Sequence, residues 1–169
     1  MERLNACVDV DYRGEEAVAA CLLFRHWKDA QPLEARTARV SPVAPYEPGQ
    51  FYRRELPCLL AVLSPLLPQL GTVVVDGHVW LSPGQPPAPG LGAHLYAALG
   101  EQVGVIGVAK TAYRGAPAVE VQRGVGTRPL YVTATGIAIM DAARHVQQMH
   151  GPHRLPTLLK RVDQLCRRA

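Results

Sequence analysis

A short β-branched run, Thr72-Val73-Val74-Val75, ends in Asp76-Gly77-His78, and it restricts the fold more than any other stretch. A run with no polar break buries both faces, which marks an interior strand of a parallel or mixed sheet. The acid that ends it then falls at the carboxyl edge of the sheet, where open α/β sheets carry their ligands. Asp-Gly is also a common turn pair, and alone Asp76 says no more than that. Its company gives it weight: further acids at element ends, a lysine after a second buried run, and a proline loop around a tyrosine.

The first strand is expected over residues 5–12, where alternation sets Asp9 and Asp11 on one face and Val8 and Val10 on the other. Residues 17–24 are apolar enough for a central strand, and 32–40 supply a third, so the chain opens with an antiparallel half-sheet. Residues 41–49 read Ser-Pro-Val-Ala-Pro-Tyr-Glu-Pro-Gly, a stiff loop whose prolines hold Tyr46 in its middle. A helix follows over 50–67 with Glu55 in its first turns, where a carboxylate often only answers the helix dipole. After the Asp76 strand come a loop over 78–90, a helix over 91–101 and a second buried strand over 103–108, with Lys110 just past it. Residues 118–123 and 129–135 pair across Gly124-Val125-Gly126, and helices over 137–150 and 157–168 close the chain. The expected architecture is one α/β domain over 1–169, a central mixed β-sheet with helices on both faces.

Several function classes drop out. The four cysteines among 169 residues are scattered, with no Cys-x-x-Cys pair, which argues against structural zinc and for a reducing, cytoplasmic setting. The six histidines form no helical metal-binding pair, and neither a phosphate-cradling glycine loop nor a nucleophile elbow occurs. Residues 56–75 are uncharged, but Pro57, Pro65, Pro68 and Gly71 break them, so no membrane span is expected. No signal peptide is recognisable at the start. A net charge of +4 permits an anionic partner, and a monomer is the simplest expectation.

Asp9, Glu55 and Asp76 lie on three different elements. Hard divalent cations such as Mg²⁺ take carboxylate oxygens and keep waters for a substrate. Acids that converge hold one or two such ions against a phosphodiester. That is the plan of the ribonuclease H-like nucleases, which also begin with an antiparallel half-sheet, and it sets the expected fold class.

More specific motifs follow one another over nearly the whole chain: Val8-Asp9-Val10, Pro45-Tyr46-Glu47-Pro48-Gly49 before Arg54-Glu55, Val75-Asp76-Gly77-His78, Ile106-Gly107-Val108-Ala109-Lys110, Pro129-Leu130-Tyr131-Val132 and Arg154-Leu155-Pro156. In these the chain resembles the endonuclease V family, the deoxyinosine-3′ endonucleases. The resemblance implies Mg²⁺, replaceable by Mn²⁺, on Asp9 and Asp76 with Glu55 as the third acid. It places Lys110 beside the scissile phosphate, completing the catalytic set. Tyr46, framed by Pro45, becomes the wedge that fills the gap left by a flipped base. Gly49 and Gly77 then admit the flipped hypoxanthine past bare backbone, and His78 joins the nucleic-acid-binding set. The implied substrate is inosine-containing DNA or RNA, cut at the second phosphodiester bond on the 3′ side.

The chain also departs from the family pattern. Cys7 stands in place of a glycine, Ser82-Pro83-Gly84 in place of His-Pro-Arg, Glu47 in place of an apolar residue, and Ile137 in place of a histidine associated with the metal site. His78 and His94 are the imidazoles available to substitute. These departures motivate two alternatives: a catalytically weakened nucleic-acid-binding member of the same fold, and a related nuclease with altered substrate specificity.

Overall fold

Small and β-branched residues build the middle of the molecule. The computed structural model describes residues 2–48, 50–84 and 87–169. Seven strands, β1 (Leu4–Arg13), β2 (Glu16–Phe24), β3 (Glu34–Val40), β4 (Leu70–Asp76), β5 (Gly104–Ala109), β6 (Val119–Val121) and β7 (Leu130–Thr135), form one sheet in the order β3-β2-β1-β4-β5-β7-β6. The β1–β2–β3 half is antiparallel, β4 and β5 run parallel to β1, and β7 and β6 return antiparallel. This is the mixed sheet of the ribonuclease H-like fold.

Helices cover both faces, as continuous apolar strands require. On one side α1 (Tyr52–Leu63) and α2 (Leu91–Ala98) pack Leu59, Leu63 and Leu95 against Ala6, Val73 and Val75. On the other, α3 (Ile139–Gln148) and α4 (Thr157–Arg168) pack Val146, Leu158 and Val162 against Cys7, Val74 and Ile106. Every residue of β2 after Glu16 is buried. The β3 edge is exposed and charged instead: Arg36 pairs with Glu34 at 2.9 Å and Arg39 with Glu16. Charge on an edge strand discourages a further strand from adding to it.

Two helices are shorter than their patterns suggest. The helix expected over 50–67 is α1 followed by a 3-10 turn at Ser64–Gln69, because Pro65 and Pro68 lack the amide that continues an α-helix. The helix expected over 91–101 stops at Ala98, and Gly100 and Glu101 both take positive φ, 73° and 59°. Among the described residues no helix is long and apolar enough to cross a membrane.

One close approach shapes the functional end of the sheet. A Cβ on Gly107 of β5 would lie 2.5 Å from the Gly77 carbonyl oxygen and 2.7 Å from Thr133 Oγ1. Its absence lets the turn after β4 fold down on β5. There the Val79 amide donates to the buried Thr133 hydroxyl at 2.8 Å.

Candidate metal centre and nucleic-acid interface

The β1–β4 pairing ends at Cys7 opposite Val74. Continued by two residues, that register sets Asp9 opposite Asp76, and paired residues of parallel strands share a face. Asp9, Asp11, Asp76, Lys110 and Asp163 line one cleft of about 210 Å³ at this end of the sheet. Glu55 approaches from α1, which packs on the other face, and is 6% exposed. Its Oε2 is buried and has no hydrogen-bond partner.

These carboxylates disturb one another. Burial pushes Glu55 up to about 8, and the charges of Asp76 and Asp9 push the same way. Asp9 is raised chiefly by burial; a hydrogen bond with Asp163 and the charge of Asp76 add to the rise, and the Val10 amide at 2.9 Å opposes it. Burial also raises Asp76, against the pull of Lys110 and His78. Like-charged acids held together out of water are costly unless a cation joins them. An all-oxygen set with one orphaned oxygen suits a hard divalent ion.

Lys110 follows β5 directly and is exposed on the cleft. Its backbone is tied down: Arg154 donates to the Lys110 carbonyl and, at 2.7 Å, to the Pro129 carbonyl. His78 reaches the Thr111 carbonyl through Nε2 at 3.2 Å and tilts against Tyr113 at 6.0 Å. Between Asp76 and His78, Gly77 takes φ 117°, and a Cβ there would meet nothing within 4 Å. A bare turn thus faces open space one residue from the acids.

Pro45 and Tyr46 lie in the loop joining β3 to α1, anchored where the Val43 amide donates to the Glu15 carbonyl at 2.8 Å. Pro45 lines a shallow groove with Arg54 and Pro57, and Tyr46 is 59% exposed. Gly49 lies outside the described residues. Glu47 is 4.0 Å from Arg53, an exposed pair. Of the two imidazoles foreseen as substitutes, His78 is beside the acids, whereas His94 stacks on Tyr52 at 3.6 Å.

Two readings change. The expected trio Asp9, Glu55 and Asp76 is joined by a fourth acid, Asp163 of α4. The tightest donor cluster among the described residues is Asp9, Asp163 and Cys166, whose ligand atoms all lie within 4.8 Å of one another. No local pattern on α4 separates this acid from a solvated one; the packing of α4 on the sheet brings it to Asp9. Ile137, where an imidazole was linked to the metal site, lies at the wrong end of the sheet. Antiparallel β7 carries Thr135 opposite Val105, so Gly136 and Ile137 sit over Gly104 at the start of β5. That is about 13 Å of strand away from Asp76, which pairs with Val108, and Ile137 packs into the α3–α4 core.

Comparison with known proteins places this geometry. A family model described as Endonuclease V matches residues 2–150. An endonuclease V of Streptomyces avermitilis is 33% identical over 188 aligned residues, covering 96% of this chain and 78% of that protein. The crystal structure of an endonuclease V from Streptomyces avermitilis superposes with TM-score 0.75 at 26% identity, over 98% of this chain and 80% of the other. That of Ciona intestinalis endonuclease V, in complex with a 24mer DNA containing an inosine followed by a ribo-adenosine, gives 0.81 at 18% identity, over 98% and 85%.

Proposed function

This chain belongs to the endonuclease V family, and on that premise we propose that it is a metal-dependent endonuclease hydrolysing a phosphodiester bond 3′ to inosine in DNA or RNA. The observation that carries the reading is the carboxylate of Glu55, buried with an orphaned oxygen and subject to the charges of Asp76 and Asp9. We assign the site to Mg²⁺, with Mn²⁺ able to replace it. A bound ion supplies a more acidic water and neutralises charge on the leaving oxygen.

The residues divide the remaining work. Asp9, Glu55 and Asp76 hold the ion, with Asp163 against Asp9. Lys110 brings a mobile point charge to the scissile phosphate. Tyr46, on its proline-framed loop, enters the gap left in the stack, and a stiff loop loses little entropy on insertion. The open turn at Gly77 receives the displaced base, and His78 and Pro45 contact its strand. Unpaired or weakly paired inosine costs least to displace. The whole of 1–169 acts as one domain, and we take the protein to be a cytoplasmic monomer.

Nicking of an inosine-containing oligonucleotide tests the reading. Cleavage is expected with Mg²⁺ or Mn²⁺ and not with EDTA, and Asp76→Asn is expected to abolish it while leaving the circular dichroism unchanged. A well-folded wild-type protein that cuts at no metal concentration would overturn the assignment.

A further inference from the structure

Two motifs that stand out in the sequence, Pro129-Leu130-Tyr131-Val132 and Arg154-Leu155-Pro156, have no share in the chemistry assigned so far. They meet at Lys110. The β5–β7 ladder ends with Ala109 opposite Tyr131, so the Lys110 carbonyl is the first beyond the last pair. One nitrogen of Arg154, Nη2, donates both to that carbonyl and to the Pro129 carbonyl, the latter at 2.7 Å. A single guanidinium thus closes the sheet where its two strands part.

Arg154 itself has little freedom. It lies in the turn between α3 and α4, where Arg123, 5% exposed, donates to four carbonyls: Met149 at 2.5 Å, Gly151 at 3.0 Å, His153 at 2.9 Å and Arg154 at 3.2 Å. A planar fork bonded at four points fixes the path of the chain through them. Gly124, at φ 75°, lets the same turn come close, since a Cβ there would lie 3.1 Å from the Arg154 amide nitrogen. The Arg154 Nε is buried without a partner, so the side chain forgoes a bond of its own while Nη2 serves two carbonyls.

We infer that Arg154 is a positioning residue for Lys110: it fixes the backbone from which the lysine reaches the scissile phosphate, and acts on the reaction only through that lysine. A displacement of about 1 Å in a reacting group is enough to cost about a hundredfold in rate. The chemical half of this inference rests on the nuclease reading. The tie between the two residues does not.

Single-turnover nicking of an inosine-containing oligonucleotide in Mg²⁺ tests the role through a double-mutant cycle with Lys110→Ala. Arg154→Ala is expected to slow the otherwise wild-type reaction by about ten- to a hundredfold, while fluorescence anisotropy shows oligonucleotide affinity nearly unchanged. In the Lys110→Ala background the same substitution should cost less than about twofold, because the residue it positions is gone. Arg154→Lys keeps a charged donor without the fork and should recover part of the rate. Circular dichroism checks the folding of each variant, since a loss of stability alone leaves the rate per folded molecule unchanged. Hydrogen exchange of the substrate-free protein supplies a second readout: amides of residues 110–113 should exchange faster in Arg154→Ala, while those of β1 and β4 stay protected. An unchanged rate, an equal loss in both backgrounds, a loss confined to affinity, or unchanged exchange at 110–113 overturns the inference. Faster exchange in a chain whose wild type nicks nothing overturns the nuclease reading and the chemical half with it, leaving Arg154 a backbone tie alone.

Discussion

Two concave regions meet at Leu155 and handle charge in opposite ways. The cleft at the strand ends gathers acids that are mostly shielded from water. The groove beside it, about 520 Å³, runs along α4 and is lined by Leu155, His153, Lys160, Arg161, Gln164 and Arg168. In the groove the cations are exposed, and Arg161 is held by Gln31 at 2.5 Å. Charges in the cleft feel one another through a poorly screening medium, so altering one changes the protonation of the rest. Charges in the groove are separated by water and salt and act almost independently. Substitutions in the cleft should therefore be steep and coupled, and those in the groove shallow and additive.

The largest effect after loss of an acid is expected at Lys110, the cation that offsets Asp76 in the cleft. Lys110→Ala should lower kcat for inosine nicking by about 10² to 10³, the range for removing one positioned electrostatic stabiliser, with KM changed far less. Lys110→Arg should restore part of it, because charge returns on a stem of different shape. Single-turnover kinetics check this. A loss confined to KM would move Lys110 out of the cleft's chemistry and into the groove's class.

Glu55 gives a gentler signature, readable without substrate. Its value rises from 4.5 to about 8, so the folded chain keeps a proton that the unfolded chain releases. That contribution to stability is complete below pH 4.5 and is lost as pH rises through about 8. The slope has a ceiling of about 1.4 kcal/mol per pH unit. The metal-free protein should thus lose urea resistance across this window, Glu55→Gln should flatten the decline, and added Mg²⁺ should bind more tightly toward its upper end. Identical pH curves for wild type and Glu55→Gln would show that the acid is not held protonated beside Asp9 and Asp76 as described.

What the chain revealed in advance follows the same division. The strands were legible because β-branched runs punctuated by glycine and proline have few alternatives, and Asp9, Glu55 and Asp76 stood out as acids at the ends of such elements. Asp163 did not stand out. On an amphipathic helix a lone acid reads as solvated surface, and only the seating of α4 on β1, some 150 residues away in sequence, turns it toward Asp9. Ile137 misled for a related reason. Its position is fixed by β7 running antiparallel to β5, a matter of topology, and no local pattern says which end of the neighbouring strand it meets. The prolines at 65 and 68 are visible in the sequence, yet the apolar spacing continues through them and points to helix where the structure has a 3-10 turn.

The smallest expected effect belongs to the groove. Lys160 and Arg168 are exposed and have no ion-pair partner among the described residues, so each can neutralise one phosphate of a strand leaving the cleft past Leu155. Every phosphate neutralised adds about 0.9 to the log–log salt dependence of binding for duplex DNA and about 0.7 for a single strand. The double variant Lys160→Ala/Arg168→Ala should therefore reduce that slope by about 1.4 to 1.8 while kcat at saturating substrate stays unchanged. Arg167 is the internal control, because it is also exposed on α4 but bonded to Asp163 at 3.0 Å. Its removal frees an acid of the cleft, so Arg167→Ala should alter metal affinity and leave the slope nearly intact. Fluorescence anisotropy over a salt series reads both outcomes. An unchanged slope in the double variant would mean that the strand takes another path and that the two concave regions are neighbours without being parts of one surface.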